Sequence, residues 1–389
     1  MKLVCTPPRY PPFTGGVENV SHALALRLDR AGDEILVICA DVPRNSPSNV
    51  EGVSVLRIKS HFNIANTNIT LGLPWALLRG EWEVIQTDVP TPWSADWSVL
   101  IARLLGRGSV IAFYNEIVGT ATMNWVAKVY QQTVFRLTLR LTDKILVVSD
   151  RWRDYLLSIN SALGPKIHVV PTGVDVAQFH PIEQTETGNT LLFVGVLDRF
   201  HRYKGLDVLL HAASVLENCF KLVVIGEGDL RPEYENLVTK LGLQDKVEFL
   251  GRVDRECLIR NYQEAAIYIL PSNFDSQEAG FTLTALEAMA CGVPVIIAEG
   301  AGQVAWKVEE AKAGIRVKAG DALDLSQAID LLLSSQELRN QMGRSARSLT
   351  ENNYSWDDIA VTRRDIYNQA LELSSRRKKK GRRHRNRVV

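Results

Sequence analysis

The sequence predicts an α/β protein of two doubly wound, parallel-sheet domains, and three observations carry that reading. With 389 residues the chain is long enough for two separate cores. Short apolar strands alternate with amphipathic helices almost throughout, the pattern of parallel strands joined by helical crossovers. The alternation stops at 174 to 190, VDVAQFHPIEQTETGNT, a polar stretch with Pro181 and Gly188, and then resumes. Residues 1–173 are therefore read as one domain, 174–190 as a linker and 191–355 as the second domain.

Composition narrows the class. Hydrophobic residues make up 46% and charged residues 23%, as in an ordinary globular protein. No apolar run approaches the roughly 18 residues of a membrane span, and the opening MKLVCTPPRY is too short in apolar residues for a secretory signal. The five cysteines, Cys5, Cys39, Cys219, Cys257 and Cys291, show no metal-ligand or redox spacing and read as reduced core thiols of a cytoplasmic protein. The histidines are scattered and Asp-x-Asp does not occur, so no metal and no cofactor is expected. Nine of the 45 Lys and Arg fall in the last stretch, 374 to 389, SSRRKKKGRRHRNRVV, which has no acid. That composition predicts a disordered tail for an anionic surface, either phospholipid or nucleic acid, or a merely solubilising terminus.

In domain one, strand 2 to 5 leads through TPPRYPPFTGG into a helix from Val17 to about Arg30, with Gly15 and Gly16 at its start. Two glycines there allow a backbone to approach a phosphate, or mark a turn and nothing more. EILVIC, VSVLRI, EVIQTD, SVIAFY and DKILVVS follow as strands, with helices near 71–80, 93–106, 121–141 and 150–159, before the last strand KIHVVP. Domain two reads TLLFVGV, a helix from Lys204, KLVVIG, a helix from Arg231, KVEFLG, a helix from Asp254, IYILP, a short helix and PVIIA. Helices over 322–333, 337–352 and 356–373 close the chain. In doubly wound domains ligands bind outside the C-terminal ends of the strands. The loop after TLLFVGV holds Arg199, His201, Arg202 and Lys204, four potential cations for a diphosphate or a basic solvated loop.

Residues 271 to 297, PSNFDSQEAGFTLTALEAMACGVPVII, are the most informative. Gly280 supplies a tight helix entry and Gly292 with Pro294 a stop, so the helix should run from about Phe281 to Cys291. Its apolar stripe, Leu283, Leu286 and Ala290, includes Glu287, a carboxylate that needs hydrogen bonds there. Glu278 precedes the helix N-terminus, where free N–H groups suit an anion. Two acids beside a helix start fit a ligand with hydroxyls and phosphate. A helix cap at Glu278 and an ion pair at Glu287 is the plainer alternative.

This stretch resembles the nucleotide-sugar signature of glycosyltransferase family 4, retaining enzymes of the GT-B fold, two Rossmann-like domains facing a cleft. EAMACGVPV at 287–295 matches completely, while the first acid, expected at Ala279, is met one residue early by Glu278, which a one-residue bulge restores. The resemblance continues in GGVE at 15–18, VPTGVD at 170–175, and VIAFYNEIVG at 110–119, where Tyr114 stands in place of the family's His. It implies that Lys204, Arg199 and Glu278 are catalytic, with Arg202 competing for the role of Arg199, since Val196 occupies the family's Arg position. It implies donor contacts from Gly15, Gly16, Tyr114, Gly226, Arg252, Val253, Gly280, Phe281, Thr282 and Glu287. The last helix, 356–373, should return to domain one.

The implied function is transfer of a hexose, with retention, from a UDP- or GDP-sugar to a glycan or lipid-linked acceptor, without metal or cofactor. The implied setting is cytoplasmic, with peripheral docking on an anionic membrane face through the tail and no specific nucleic-acid partner. A helix 121–141 that interleaves Trp125, Val129, Tyr130, Phe135 and Leu139 with Lys128, Arg136 and Arg140 suits such docking, or a core-facing helix with a basic outer face. The alternatives are a non-catalytic scaffold that keeps the fold and, less favoured, a sugar-nucleotide epimerase.

Overall fold

The structure, a computed structural model, describes residues 1–388 except Thr14, 65–66, 118–123, 183–187 and 274–282; of Asn124, Gln303 and 380–388 it describes the backbone alone. The chain forms two compact units, Met1–Thr172 with Trp356–Val389, and Gly173–Ser355.

Unit 1 contains β1 (Lys2–Thr6), α1 (Gly16–Arg30), β2 (Glu34–Ala40), β3 (Asn49–Val50), β4 (Val53–Ile58), β5 (Phe62–Ile64) and β6 (Thr67–Ile69). It continues with α2 (Leu73–Arg79), β7 (Val84–Val89), α3 (Ser94–Leu105), β8 (Gly108–Phe113) and α4 (Asn124–Tyr130). A π turn over Gln131–Phe135 joins α4 to α5 (Arg136–Leu141), and β9 (Lys144–Val147), α6 (Asp150–Ile159) and β10 (Ile167–Val169) complete the series. The sheet order is β10-β9-β8-β7-β1-β2-β4-β3, parallel but for β3. Every residue of β7 and β8 is buried, which requires helices on both faces. Val89 lies opposite Phe113, so these two strands end level. The β5–β6 hairpin was not foreseen; its first strand, Phe62–Ile64, is exposed throughout and carries no alternation to detect.

Unit 2 runs β11 (Thr190–Val194), α7 (Leu206–Ser214), β12 (Lys221–Ile225), α8 (Arg231–Lys240), β13 (Val247–Gly251), α9 (Arg255–Glu264) and β14 (Ile267–Leu270). Then come α10 (Leu283–Ala290), β15 (Val295–Ala298), α11 (Gln303–Glu310), β16 (Gly314–Val317), α12 (Ala322–Leu333) and α13 (Gln336–Asn353). Its sheet is parallel throughout, in the order β13-β12-β11-β14-β15-β16. Alternate residues feed two cores: Leu191, Phe193, Leu222 and Val224 pack with α7, α8 and α12, while Leu192, Val194, Val223 and Ile225 pack with α9, α10 and α11. The edge strand β16 and the helix α11 before it were missed, the strand having only four residues, two of them half-exposed.

Two expected boundaries are corrected. The stretch read as the start of a linker belongs to unit 2, because Val174 and Phe179 are buried in its core and Arg347 donates to the carbonyls of Val176, Phe179 and Ala290. Its polar composition hid two anchors. The tail read as disordered is helical: α14 (Trp356–Val388) carries on through the basic run. Lys and Arg are good helix formers, and extending a helix costs far less than nucleating one. Arg377 pairs with the buried carboxylate of Asp143 and donates to the carbonyl of Arg107, while Lys378 lies on Gly106. Helix α14 joins unit 1, where Gly108 admits the backbone of Ala370 against β8.

Candidate active site

In unit 2 the chemistry gathers at the C-terminal ends of β11 and β12. A Cβ at Gly226, whose φ is 148°, would run into the Gly195 carbonyl, and one at Gly228 into the Leu197 carbonyl. These two glycines let the loops after β11 and β12 cross. The β11 loop forms a 3-10 turn, Arg199–Lys204, capped by Asp198, which accepts from the His201 backbone N–H at 2.8 Å. Gly205, at φ 74°, ends the turn beneath the Pro271 carbonyl. That geometry folds the Lys204 side chain back over Gly195, with Cδ 2.9 Å and Nζ 3.4 Å from where a Cβ would stand. Burial pulls the Lys204 pKa down, against the charges of Asp198 and Glu287.

Glu287 faces Lys204 from α10. Its Oε2 accepts from the Tyr262 hydroxyl at 3.0 Å, and beside it Tyr268 donates to Thr284 Oγ1 at 2.7 Å. Burial pushes the Glu287 carboxyl up to about 7; the Tyr262 hydrogen bond, Arg255 and Lys204 oppose the rise. The carboxylate inside the apolar stripe is thus paid for by a tyrosine from α9 and two nearby cations.

The other loop cations do not join Lys204. The Arg199 side chain is 82% exposed and pairs with Asp229 at 3.3 Å, Arg202 pairs with Glu233, and His201 with Asp198. Arg199 is therefore not a second enclosed cation in this structure, because the 3-10 turn directs it outward. Arg252 is exposed and Val253 half-buried just beyond β13, next to Gly251 at φ 69°. Glu278, Gly280, Phe281 and Thr282 lie outside the described residues.

In unit 1 the glycine loop is backed by a carboxylate. A Cβ at Gly15 would collide with Glu18, which is buried and held by Arg9 Nε at 3.1 Å, while Arg9 stacks on Phe13. Gly16 opens α1. Tyr114, the first residue past β8, is buried, with its backbone N–H on the Val89 carbonyl. Its hydroxyl lies 3.5 Å from Arg363 Nη1, and burial pushes its pKa up to about 12, Arg363 opposing. Asp88, next to last in β7, accepts from Ser21 at 2.9 Å and Gln86 at 3.1 Å. Glu18 and Asp88 were open to sequence reasoning, one inside GGVE and one at a strand end; Tyr262 and Arg363 carried no local signal.

Two parallel-sheet units with such strand-end sites define the GT-B class. Two family models cover nearly the whole chain: Glycosyltransferase Family 4 over residues 14–178 and Glycosyl transferases group 1 over 177–349. An uncharacterized glycosyltransferase of Methanocaldococcus jannaschii is 25% identical over 97% of this chain and 100% of its own. The D-inositol 3-phosphate glycosyltransferase of Xylanimonas cellulosilytica is 32% identical over 59% of this chain and 58% of its own. Among solved structures, sucrose-phosphate synthase from Thermosynechococcus elongatus superposes with a TM-score of 0.74 at 21% identity, covering 96% of this chain and 100% of that one. Anabaena HepE in complex with UDP superposes at 0.73 with 15% identity, covering 94% and 99%. The chain belongs to glycosyltransferase family 4 and has the GT-B fold.

Proposed function

We propose that this glycosyltransferase moves a hexose from a nucleotide diphosphate sugar, UDP- or GDP-linked, to a glycan or lipid-linked acceptor with retention at the anomeric carbon. The observation that carries the reading is the enclosed pair formed by the loop after β11 and by α10, Lys204 over Gly195 and Glu287 on Tyr262. As the glycosidic bond lengthens, negative charge grows on the diphosphate, and a fixed ammonium there lowers the barrier. Glu287 is suited to accept from ribose hydroxyls. Tyr114, a phenol whose pKa is pushed up, lines the sugar side as a hydrogen-bonding group and not as a base. HepE, solved with UDP-glucose, supports a nucleotide-sugar donor by likeness of fold. Incubation with a panel of UDP- and GDP-sugars, reading nucleotide release and isomerised donor, tests it. Release without isomerisation supports transfer, isomerised donor favours an epimerase, and neither with any sugar favours a scaffold.

The acceptor side is proposed to work at an anionic membrane surface. No helix among the described residues is long and apolar enough to cross a membrane. The support is a set of exposed side chains. Helix α3 packs against both α2 and α5, and helices α2 to α5 expose Trp75, Leu78, Leu104, Trp125, Val129 and Leu137 along with the cations Arg79, Arg103, Lys128, Arg136 and Arg140. Within the helices α2, α3, α4 and α5 themselves the single acid, Asp96, is engaged by Tyr130 and Thr138. Apolar side chains among cations suit an anionic lipid interface.

A further inference from the structure

Unit 1 encloses a cation that packing alone does not call for. Arg363, on α14, is the largest fully buried side chain among the described residues. A buried guanidinium is costly without a carboxylate, whereas an apolar side chain of similar volume would fill the space freely. Among the described residues no carboxylate pairs with it; its Nη1 reaches the Tyr114 hydroxyl at 3.5 Å and its Nε has no hydrogen-bond partner. One turn on, Tyr367 donates to Gln86 Oε1, Gln86 donates to Asp88 Oδ1, and Ser21 of α1 donates to Asp88 Oδ2. A chain of polar contacts thus runs from the last helix, under the level ends of β7 and β8, to the first helix.

We propose that Arg363 is a positioning residue of the transfer site, fixing Tyr114 just past β8 and coupling it to Asp88. The proposal rests on the reading of Tyr114 as lining the sugar side. The groups that face Asp88 are Ser21 and Glu18 from α1, Gln86 from its own strand, Cys5 from β1, Tyr114, and Arg363 with Tyr367 from α14. Burial pushes Asp88 up to about 6, while Ser21, Arg363 and Gln86 hold it down and Glu18 adds to the rise. Asp88 is then mostly ionised at neutral pH, and loss of the cation moves its titration upward into the working range.

The test uses Arg363→Met, Arg363→Lys and Asp88→Asn in the full chain. Nucleotide release from UDP-glucose and GDP-mannose and the thermal midpoint are both followed from about pH 5 to pH 9. Arg363→Met should lower kcat about tenfold with KM little changed, and shift the acid limb of kcat up by about one pH unit. Arg363→Lys keeps the charge but not the guanidinium fork, so it should lower kcat a few-fold and leave the limb in place. In Asp88→Asn, adding Arg363→Met should no longer move the limb. Full kcat in Arg363→Lys, or a lower thermal midpoint in Arg363→Met with an unshifted pH dependence, overturns the proposal and leaves Arg363 as packing. If Arg363→Met does not fold, Arg363→Lys decides. If neither these donors nor any other sugar of the UDP and GDP panel is turned over, the transferase reading is what has failed. The thermal arm then still decides the coupling, because the fall in midpoint with rising pH should extend about one unit higher in Arg363→Met.

Discussion

At the scale of single residues, the charge on Lys204 and the space above Gly195 are one feature. Lys204→Ala should reduce kcat/KM by about a hundredfold or more, the loss seen for one preorganised charge stabiliser, without lowering the thermal midpoint. Gly195→Ala should come close to the same loss with the fold intact, since the added methyl meets the flexible Lys204 Cδ at 2.9 Å and displaces the ammonium. Steady-state kinetics beside thermal melts check both, and a fully active Gly195→Ala would show that the ammonium position is immaterial. Glu287 adds a pH signature. Its carboxyl is raised by burial from 4.5 to about 7, so the folded state holds the proton more tightly than the unfolded chain. Its contribution to stability is complete below about pH 4.5 and is lost as pH rises to 7, a change of order 3 kcal/mol. Glu287→Gln should therefore flatten the midpoint over that window while weakening donor binding, as melts with and without UDP would record.

At the scale of elements, the crossing of the β11 and β12 loops depends on glycines that admit no Cβ. Gly226→Ala should cost more than about 3 kcal/mol, because the carbonyl of Gly195 occupies the space and φ is 148°. Gly242→Ala, at φ 68° with nothing within 4 Å, should cost only about 1 kcal/mol. Urea unfolding of the two variants tests the contrast, and equal losses would mean that φ alone, not the crossing, sets the cost. The sequence singled out Gly226 through its motif and gave Gly242 no role. Only the packing ranks them, since what fills the space at 226 is the carbonyl of Gly195, just past β11 and about thirty residues away.

At the scale of the molecule, α14 closes unit 1 and carries the basic run. Deleting 380–389 should leave the melt unchanged and weaken binding to anionic vesicles in a salt-dependent way, each Lys or Arg near such a surface contributing about 1 kcal/mol. Deleting 377–389 should in addition cost about 2 kcal/mol, because the buried Asp143 carboxylate loses Arg377 while Ser109 still donates to it. Vesicle cosedimentation with melts separates the two effects. Unchanged cosedimentation of the shorter chain would leave the exposed residues of α2 to α5 as the whole of the proposed docking surface.

The sequence by itself determined the two alternating sheets, the break between them and the motif at 287–295, because strand and helix periodicities and a run of nine residues are local properties. It placed Lys204 in a loop at a strand end and Glu287 on the apolar stripe of a helix, and the structure holds them in each other's field. It could not decide which of Arg199, Arg202 and Lys204 turns inward, since a 3-10 turn capped by Asp198 settles that by its own geometry. Nor could it find Tyr262 under Glu287, or Arg363 against Tyr114, 249 residues apart. Those partners meet only because helices dock on a sheet, and burial, which makes such contacts matter, belongs to the assembled fold and not to any stretch of chain.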